Sequence, residues 1–258
     1  MKKTLIALVV AASAATSGSA MAWTANGSGG SVEVGGSLTP VTKVTPWEVA
    51  TGATVTNADA QVQKAQSSVQ VNVAKSIPVL AIRSTATDGF AGKAGISPQI
   101  GMPWIAGNNW NNANNGINGT VNVLDDAGAK IGKAVLMLQA VGVSSSTNAS
   151  GANQRLLFAN ASGQGYYGGL PTSRTTNDIR TLIKAAWPDI DSKYIAFPGS
   201  KWVDPAPETF TDSKWKFSSY YGSVIPVNSK INITLDTPAT GDAPIKWKIN
   251  LPVAVTYQ

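Results

Sequence analysis

Apolar and polar residues alternate along much of this chain, which is the pattern of strands with one buried face. Val69–Val73, Thr120–Leu124 and Ser229–Asp236 show it most clearly. Ile77–Ile82 is a denser apolar run, and the longest such run, Lys133–Val143, predicts a central strand. Short strands of this kind, separated by polar turns, predict an all-β sandwich.

Both ends of the chain carry the same alternation. The C-terminal stretch Lys246–Gln258 keeps it for eleven residues and predicts one long strand, with apolar positions Trp247, Ile249, Leu251, Val253, Val255 and Tyr257. Near the other end, every second residue would lie on one face of an extended segment, and these residues are Val32, Val34, Gly36 and Leu38. The sequence around this second segment supplies no hairpin partner. We therefore expect it to pair with a distant strand or with another molecule.

One helix is predicted, over Asn177–Trp187. Its apolar residues form a single stripe, consisting of Ile179, Leu182, Ile183 and Ala186, and Pro188 ends it. Ser144–Gln154 is rich in Ser, Asn and Gly and is predicted to be a loop. Because the strand rhythm breaks from about residue 144 to residue 210, we expect this region to be an insertion in the sandwich.

Residues 1–22 have the features of a cleaved secretory signal. Lys2 and Lys3 precede the apolar run Leu5–Ala15, and Ala20-Met21-Ala22 fits the small-x-small cleavage rule. The apolar run is too short to cross a bilayer as a helix, which needs about 20 residues. We therefore expect an exported protein whose mature chain begins at Trp23.

The composition argues against catalysis and against nucleic-acid binding. The chain contains no histidine and no cysteine, so Ser-His-Asp and Cys-His triads cannot form, and we expect no metal and no cofactor. Its formal charge of +6, or +4 without Lys2 and Lys3 (18 basic against 14 acidic residues), is not clustered. The carboxylate pairs Asp125/Asp126 and Asp189/Asp191 are predicted to lie in a turn and a helix exit. No enzymatic role is expected.

Sugar binding is the most plausible ligand chemistry of the loops. Aromatic faces beside amide side chains suit sugars, whose C–H faces stack while their hydroxyls find polar partners. The candidate residues are Trp110, Asn109, Asn111, Trp187 and Trp202. Trp110 lies among asparagines and is expected to be the hardest to bury. The alternative is that these aromatic residues are core or subunit contacts.

The two ends and several internal motifs together resemble the chaperone–usher fimbrial subunits of the FaeG type, the K-eighty-eight fimbrial family. The end motifs are Met-Lys-Lys-Thr-Leu-Ile-Ala-Leu, the Gly-Ser-Val-Glu-Val-Gly-Gly-Ser-Leu stretch Gly30–Leu38, and Leu-Pro-Val-Ala-Val-Thr-Tyr at Leu251–Tyr257. The internal motifs, in the family's order, are Gly95–Ile100, Lys130–Gly132, Tyr167–Leu170 and Asn177–Ile179. Each motif is short, and their order carries the resemblance.

This resemblance implies an immunoglobulin-like sandwich, or pilin fold, that lacks its final strand. A periplasmic chaperone lends the missing strand, and the N-terminal extension of the next subunit later replaces it. Residues 23–40 would be that extension, with Val32, Val34, Gly36 and Leu38 as donor positions, and residues 41–258 would be the pilin domain. The C-terminal strand, with Ile249, Leu251, Val253, Val255 and Tyr257, would form a groove wall that the chaperone recognises.

The same resemblance implies the partners and the location. An outer-membrane usher and neighbouring fimbrial subunits would be partners, and a host glycoprotein or glycolipid would be the receptor. The protein would pass through the periplasm to the cell surface, in fimbriae, as a major or a minor subunit. The alternative that the sequence leaves open is a secreted monomeric carbohydrate-binding module or glycosidase with a self-complete fold.

Overall fold

The computed structural model describes residues 25–26, 32–39, 43–175 and 177–258. The chain divides into two units, Met1–Lys43 and Val44–Gln258. The predicted secretory signal lies outside the described residues, whereas the four predicted donor positions lie within residues 32–39. In the first unit, residues 32–39 form neither helix nor strand.

The second unit consists of thirteen strands and one helix in its described residues. In chain order the strands are β1 Trp47–Thr51, β2 Ser68–Asn72, β3 Ile77–Ser84, β4 Phe90–Ala91, β5 Pro98–Gly101, β6 Gly116–Leu124, β7 Lys130–Asn148, β8 Gly151–Leu157, β9 Lys201–Trp202, β10 Lys216–Ile225, β11 Lys230–Leu235, β12 Lys248–Ile249 and β13 Ala254–Tyr257. The helix, α1, is Arg180–Ala186 and lies between β8 and β9.

The strands form a sandwich-like arrangement around the 19-residue strand β7. The N-terminal part of β7 pairs with β6 and β11, and β12 and β2 extend that layer on either side. The C-terminal part of β7 pairs with β10 and β8 in the other layer. Beyond β10 this layer continues with β3 and then β1, and beyond β8 it continues with β9. A separate two-stranded sheet joins β13 to β5. The predicted all-β pilin fold is confirmed.

The main core lies between the layers and is rich in aromatic residues. Leu80 and Ile82 of β3 face this core, as does Tyr221 of β10. The Trp47 ring makes edge-to-face contacts with Phe90, Tyr166 and Phe210, and its indole N–H donates to the Ile96 carbonyl at 2.6 Å.

A second, smaller core lies on the other face of β3, β7 and β10, where α1 packs. Because side chains alternate between the faces of a strand, Ala81 and Tyr220 face this second core. Ile183 of α1 is fully buried in it, and Ile179 is buried beside the start of the helix. The apolar stripe of the predicted helix is thus confirmed, although the helix is shorter than Asn177–Trp187. Ile179 occupies the N-cap position, without a side-chain capping bond.

The prediction that Ser144–Gln154 forms a loop is wrong. β7 continues through Asn148 and β8 begins at Gly151, so this region is a hairpin of two strands. The serines of β7 are buried because their short side chains leave room for covering segments, to which a hydroxyl can also bond. The Ser145 hydroxyl, for example, accepts the backbone N–H of Phe197 at 3.2 Å. The strand rhythm therefore breaks only after Leu157, and not from residue 144.

The prediction of one continuous C-terminal strand is also wrong. The strands β12 and β13 are separated, and they pair with different partners, β6 and β5. Pro252 lies between them and has no N–H to give to a ladder. The Pro252 carbonyl instead accepts the indole N–H of Trp104 at 3.1 Å.

The predicted strands around Val69–Val73, Ile77–Ile82, Thr120–Leu124, Lys133–Val143 and Ser229–Asp236 are all present, with boundaries shifted by a few residues. No helix in the described part of the chain is long and apolar enough to cross a membrane.

Candidate functional site

The C-terminal segment presents a row of apolar side chains that is only half-buried. Every second residue from Trp247 to Tyr257 packs against the main core and remains partly exposed, and the residues between them are exposed. The row consists of Trp247, Ile249, Leu251, Val253, Val255 and Tyr257, and we call it the C-terminal row. In the part of the chain that the structure describes, β12 and β13 each have one strand neighbour. The main core is therefore incompletely covered along this segment.

The five predicted groove residues, Ile249, Leu251, Val253, Val255 and Tyr257, all belong to the C-terminal row. Their alternation survives the interruption at Pro252, since every second side chain packs against the main core on both sides of it. Val255 lies opposite Ile100, and Ile249 lies opposite Val123. The structure thus brings these side chains together on one side of the core.

The predicted donor segment, taken by itself, exposes its aliphatic side chains. Val32 and Val34 are each 90% exposed and Leu38 is 98% exposed. A Cβ atom placed on Gly36 would meet nothing within 4 Å. Exposed aliphatic groups therefore occupy alternate positions of one short segment.

Trp110 does not have the exposure that the sequence predicts. It is only 7% exposed and belongs to the main core. The loop folds back through Asn111, whose N–H donates to the Gly116 carbonyl at 2.7 Å, and this turn carries the indole inward. Asn109 and Asn111 remain exposed. The expectation that Trp110 is the hardest tryptophan to bury is therefore wrong, and its ring is not a free binding surface.

The other two candidate tryptophans lie near α1, in different environments. Trp187 follows the helix, is half-buried against the second core, and donates its indole N–H to the Ser223 carbonyl at 3.3 Å. Trp202 on β9 is 46% exposed. It lines a cleft of about 410 Å³ together with Leu156, Arg174, Thr175, Asp204 and Pro205. We call this the Trp202 cleft.

Electrostatic pairing organises the surroundings of the Trp202 cleft. Arg174 and Asp204 form an ion pair on its lining. Arg180 of α1 lies over the Trp202 ring and is hydrogen-bonded to Asp178. The hydrogen bonds from Arg180 lower the pKa of the Asp178 carboxyl and raise the pKa of the Arg180 guanidinium. No spacing in the sequence relates the helix to β9, so the sequence does not predict that Arg174, Arg180 and Asp204 belong to this region.

The carboxylates of Asp125, Asp189 and Asp191 have structural partners. Asp125 closes the predicted turn, because its backbone carbonyl accepts the N–H of Gly128 at 3.1 Å and its carboxylate accepts the N–H of Ala129 at 2.8 Å. Asp189 bonds to Arg83, and Asp191 forms an ion pair with Lys184.

The all-β, sandwich-like arrangement with one short helix is that of a pilin fold. A family model described as "Fimbrial, major and minor subunit" matches residues 1–258 of the chain. The chain is also similar to the "K88 fimbrial protein AD" of Escherichia coli, with 30% identity over 203 residues that cover 72% of this chain and 70% of that protein. The protein belongs to this family of fimbrial subunits. Membership implies association with other fimbrial subunits and a location in surface fimbriae.

Proposed function

We propose that the protein is a structural subunit of a chaperone–usher fimbria and that it polymerises by donor-strand exchange. The observation that carries this proposal is the half-buried C-terminal row. Apolar surface left in water costs about 25 cal/mol per Å². A strand supplied by another molecule, laid beside this row, would cover the exposed half of its side chains and complete the core.

The segment of residues 32–39 has the properties of such a strand. Val32, Val34 and Leu38 are almost fully exposed. Burying three aliphatic side chains is favourable by about 1.5–3 kcal/mol each, or about 4.5–9 kcal/mol together before ordering costs. Gly36 stands in the same alternation and suits a groove position that accepts only a small residue. Residues 23–40 would therefore act as the donor extension of one subunit and fill the groove of its neighbour.

Partners follow from this assembly mechanism. A periplasmic chaperone would cover the C-terminal row before assembly, an outer-membrane usher would catalyse the exchange, and the route would run through the periplasm to the cell surface. The role is structural and not catalytic. Two observations support this: the chain has no histidine or cysteine, and the carboxylates Asp125, Asp189 and Asp191 are used in turns and ion pairs.

Deletion of Trp23–Leu38 tests the donor role. The deleted subunit, fused directly to its secretion signal, should still be exported and should still accept a donor strand, but it should not donate one. In cells that also express the intact protein, we expect it at one end of fibres and never at internal positions, as seen by immunogold labelling of a tag. Normal incorporation at internal positions would disprove the donor role.

A second function, adhesion to a host glycoprotein or glycolipid, is supported by the Trp202 cleft. Trp202 offers an exposed ring beside an ion pair, whereas Trp187 is held against the second core. The exposed amides Asn109 and Asn111 are further candidates. The alternative of a secreted monomeric carbohydrate-binding module or glycosidase requires a self-complete fold, which the half-buried C-terminal row disfavours.

A further inference from the structure

Trp104 lies between β6 and the C-terminal segment, at the break that separates β12 from β13. Its indole N–H donates to the Pro252 carbonyl at 3.1 Å, and its own carbonyl accepts the backbone N–H of Thr120 on β6 at 2.9 Å. A Cβ atom at Gly119 would overlap Cε3 and Cζ3 of the indole, so the ring rests directly on the β6 backbone. The Trp104 side chain is buried in the main core. It is therefore a fixed part of the fold at this break.

The C-terminal segment changes its pairing partner at the same point. β12 ends at Ile249, paired with β6, and β13 begins at Ala254, paired with β5. Continued in register, the β12–β6 ladder would place Pro252 opposite Thr120. The Thr120 N–H instead bonds to Trp104, whose indole N–H bonds in turn to Pro252. Trp104 therefore bridges the gap in pairing between the two strands.

The hydrogen bonds of the even-numbered residues define one edge of the C-terminal segment. Successive residues of an extended strand direct their backbone N–H and C=O groups to opposite edges. The Pro252 carbonyl bonds to Trp104, and Gln258 bonds to Ser97, its N–H donating at 3.1 Å and its carbonyl accepting at 2.9 Å. The opposite edge, which we call the outer edge, therefore receives the backbone groups of the residues between them, among them Leu251, Val253 and Val255.

The proline at the break does not interrupt the outer edge. The N–H that Pro252 lacks would point to the side that Trp104 occupies. In the described part of the chain, no strand pairs along the outer edge of β12 or β13. Because Trp104 holds the two strands in line, the outer edge offers one continuous run of backbone donors and acceptors.

We propose that Trp104 is the positioning residue of the acceptor groove: it joins β12 and β13 across Pro252 into one edge, along which a single donor strand binds. β12 has two residues and β13 has four, so neither alone can pair with the whole of Val32–Leu38. The occupant is the donor segment of a second copy of this chain, added as a strand. This inference rests on the proposed donor-strand exchange and names the residue that makes the groove long enough for it.

Capture of a synthetic donor strand tests this role. The acceptor is the full-length subunit carrying Val34→Asp, which blocks its own donation, purified with its periplasmic chaperone, and the probe is a fluorescent peptide of residues 23–40. Trp104→Phe keeps an aromatic ring but removes the indole N–H, and the lifetime of the peptide complex should fall about ten-fold. Gly119→Ala, which displaces the ring, should have the same effect. The matched control, Trp187→Phe, removes an indole hydrogen bond to a backbone carbonyl in the second core and should leave the lifetime unchanged.

The two ends of the peptide distinguish positioning from a general loss of stability. With Trp104 intact, Val32→Ala and Leu38→Ala in the peptide should each shorten the lifetime of the complex, because both ends are bound. With Trp104→Phe, one of these substitutions should lose its effect, since one end is no longer held, whereas a general loss of stability would leave both effects in place.

The possible failures are separable. An unchanged lifetime in Trp104→Phe, or the persistence of both peptide effects in that variant, would overturn the inference and leave donor-strand exchange intact. If the acceptor with Trp104 intact captures no peptide, donor-strand exchange itself is overturned, and the inference with it.

Discussion

Glu48 and Glu208 are two carboxylates whose surroundings act on the pKa in opposite directions. Glu48 on β1 accepts a hydrogen bond from Lys193 at 2.9 Å and another from Arg83, and these bonds lower its pKa. Glu208 is half-buried, and burial raises its pKa, although the N–H of Thr209 donates to it at 3.0 Å. Each group therefore links protonation to folding, with opposite sign.

Replacing each glutamate by glutamine should reveal these signs. The ion pairs of Glu48 stabilise the fold above the ordinary glutamate pKa of about 4.3, and this contribution is lost as the pH falls through the lowered pKa. Glu48→Gln should therefore lower the melting temperature at pH 7 and have little effect at the acid end. The raised pKa of Glu208 means that its ionised form is disfavoured in the folded protein, so this carboxyl destabilises the fold as the pH rises from the ordinary pKa through the raised one. Glu208→Gln should therefore raise the melting temperature at pH 7.

The measurement is thermal unfolding, followed by circular dichroism from pH 3 to pH 7. Each variant serves as the control for the other, because both remove one carboxylate and both keep an acceptor oxygen. Parallel changes in the two variants across the pH range would contradict the assignment.

At the scale of single elements, α1 depends on packing for its stability. It has seven residues, and isolated helices shorter than about 12–15 residues are marginal in water. Ile183 lies directly over Gly222 of β10. A Cβ atom at Gly222 would come within 2.4 Å of Ile183 Cγ2 and 2.7 Å of Ile190 Cδ1. The glycine therefore sets how closely the helix approaches the sheet.

Substitutions on the two sides of this contact should have non-additive effects on the free energy of unfolding. Ile183→Ala should lower the free energy of unfolding by about 2–5 kcal/mol, as for other buried large-to-small changes. Leu182→Ala, at a half-buried position of the same helix, should cost less. Gly222→Ala should also destabilise, but the double variant should lose less than the two single losses added, since alanine at 183 removes the closest clash. Urea unfolding measures all four variants, and strict additivity would contradict the contact.

The elements predicted correctly are those in which local pattern and tertiary role agree. In strands such as β2 and β11, one face packs against the core, and the alternation of apolar and polar residues in the sequence predicts this face directly. The hairpin at Ser144–Gln154 was not predictable, because its serines are buried beneath segments distant in sequence. Burial of Trp110 likewise depends on a loop closure that asparagine-rich composition does not reveal. The Trp202 cleft combines α1 and β9, which no local pattern connects.

At the scale of the whole molecule, the donor segment and the C-terminal row are complementary halves of one proposed contact. Both carry apolar residues at alternate positions, and they lie in the two different units of the chain. A substitution that disables either the donor segment or the C-terminal row should block self-assembly, while the other of the two remains functional. This allows the two halves to be tested against each other.

Charged substitutions make this test. Val34→Asp should abolish donation, and Val253→Asp should abolish acceptance, because a carboxylate would enter an apolar groove. Neither variant should form fibres when it is expressed alone. When the two are coexpressed, the Val253→Asp subunit should donate its intact strand to the Val34→Asp subunit. The resulting dimers can be separated by size-exclusion chromatography. Ser37→Asp and Thr256→Asp, which add the same charge on the opposite faces, should still polymerise. Fibres formed by Val34→Asp alone would contradict the proposed contact.

β7 also determines how the sandwich comes apart. It forms nine register pairs with β6 in one layer and nine with β10 in the other. If either layer unfolds, the other layer loses β7, which is one of its central strands. The shared strand thus makes unfolding of the two layers a single cooperative event, although the chain has no disulfide to join them.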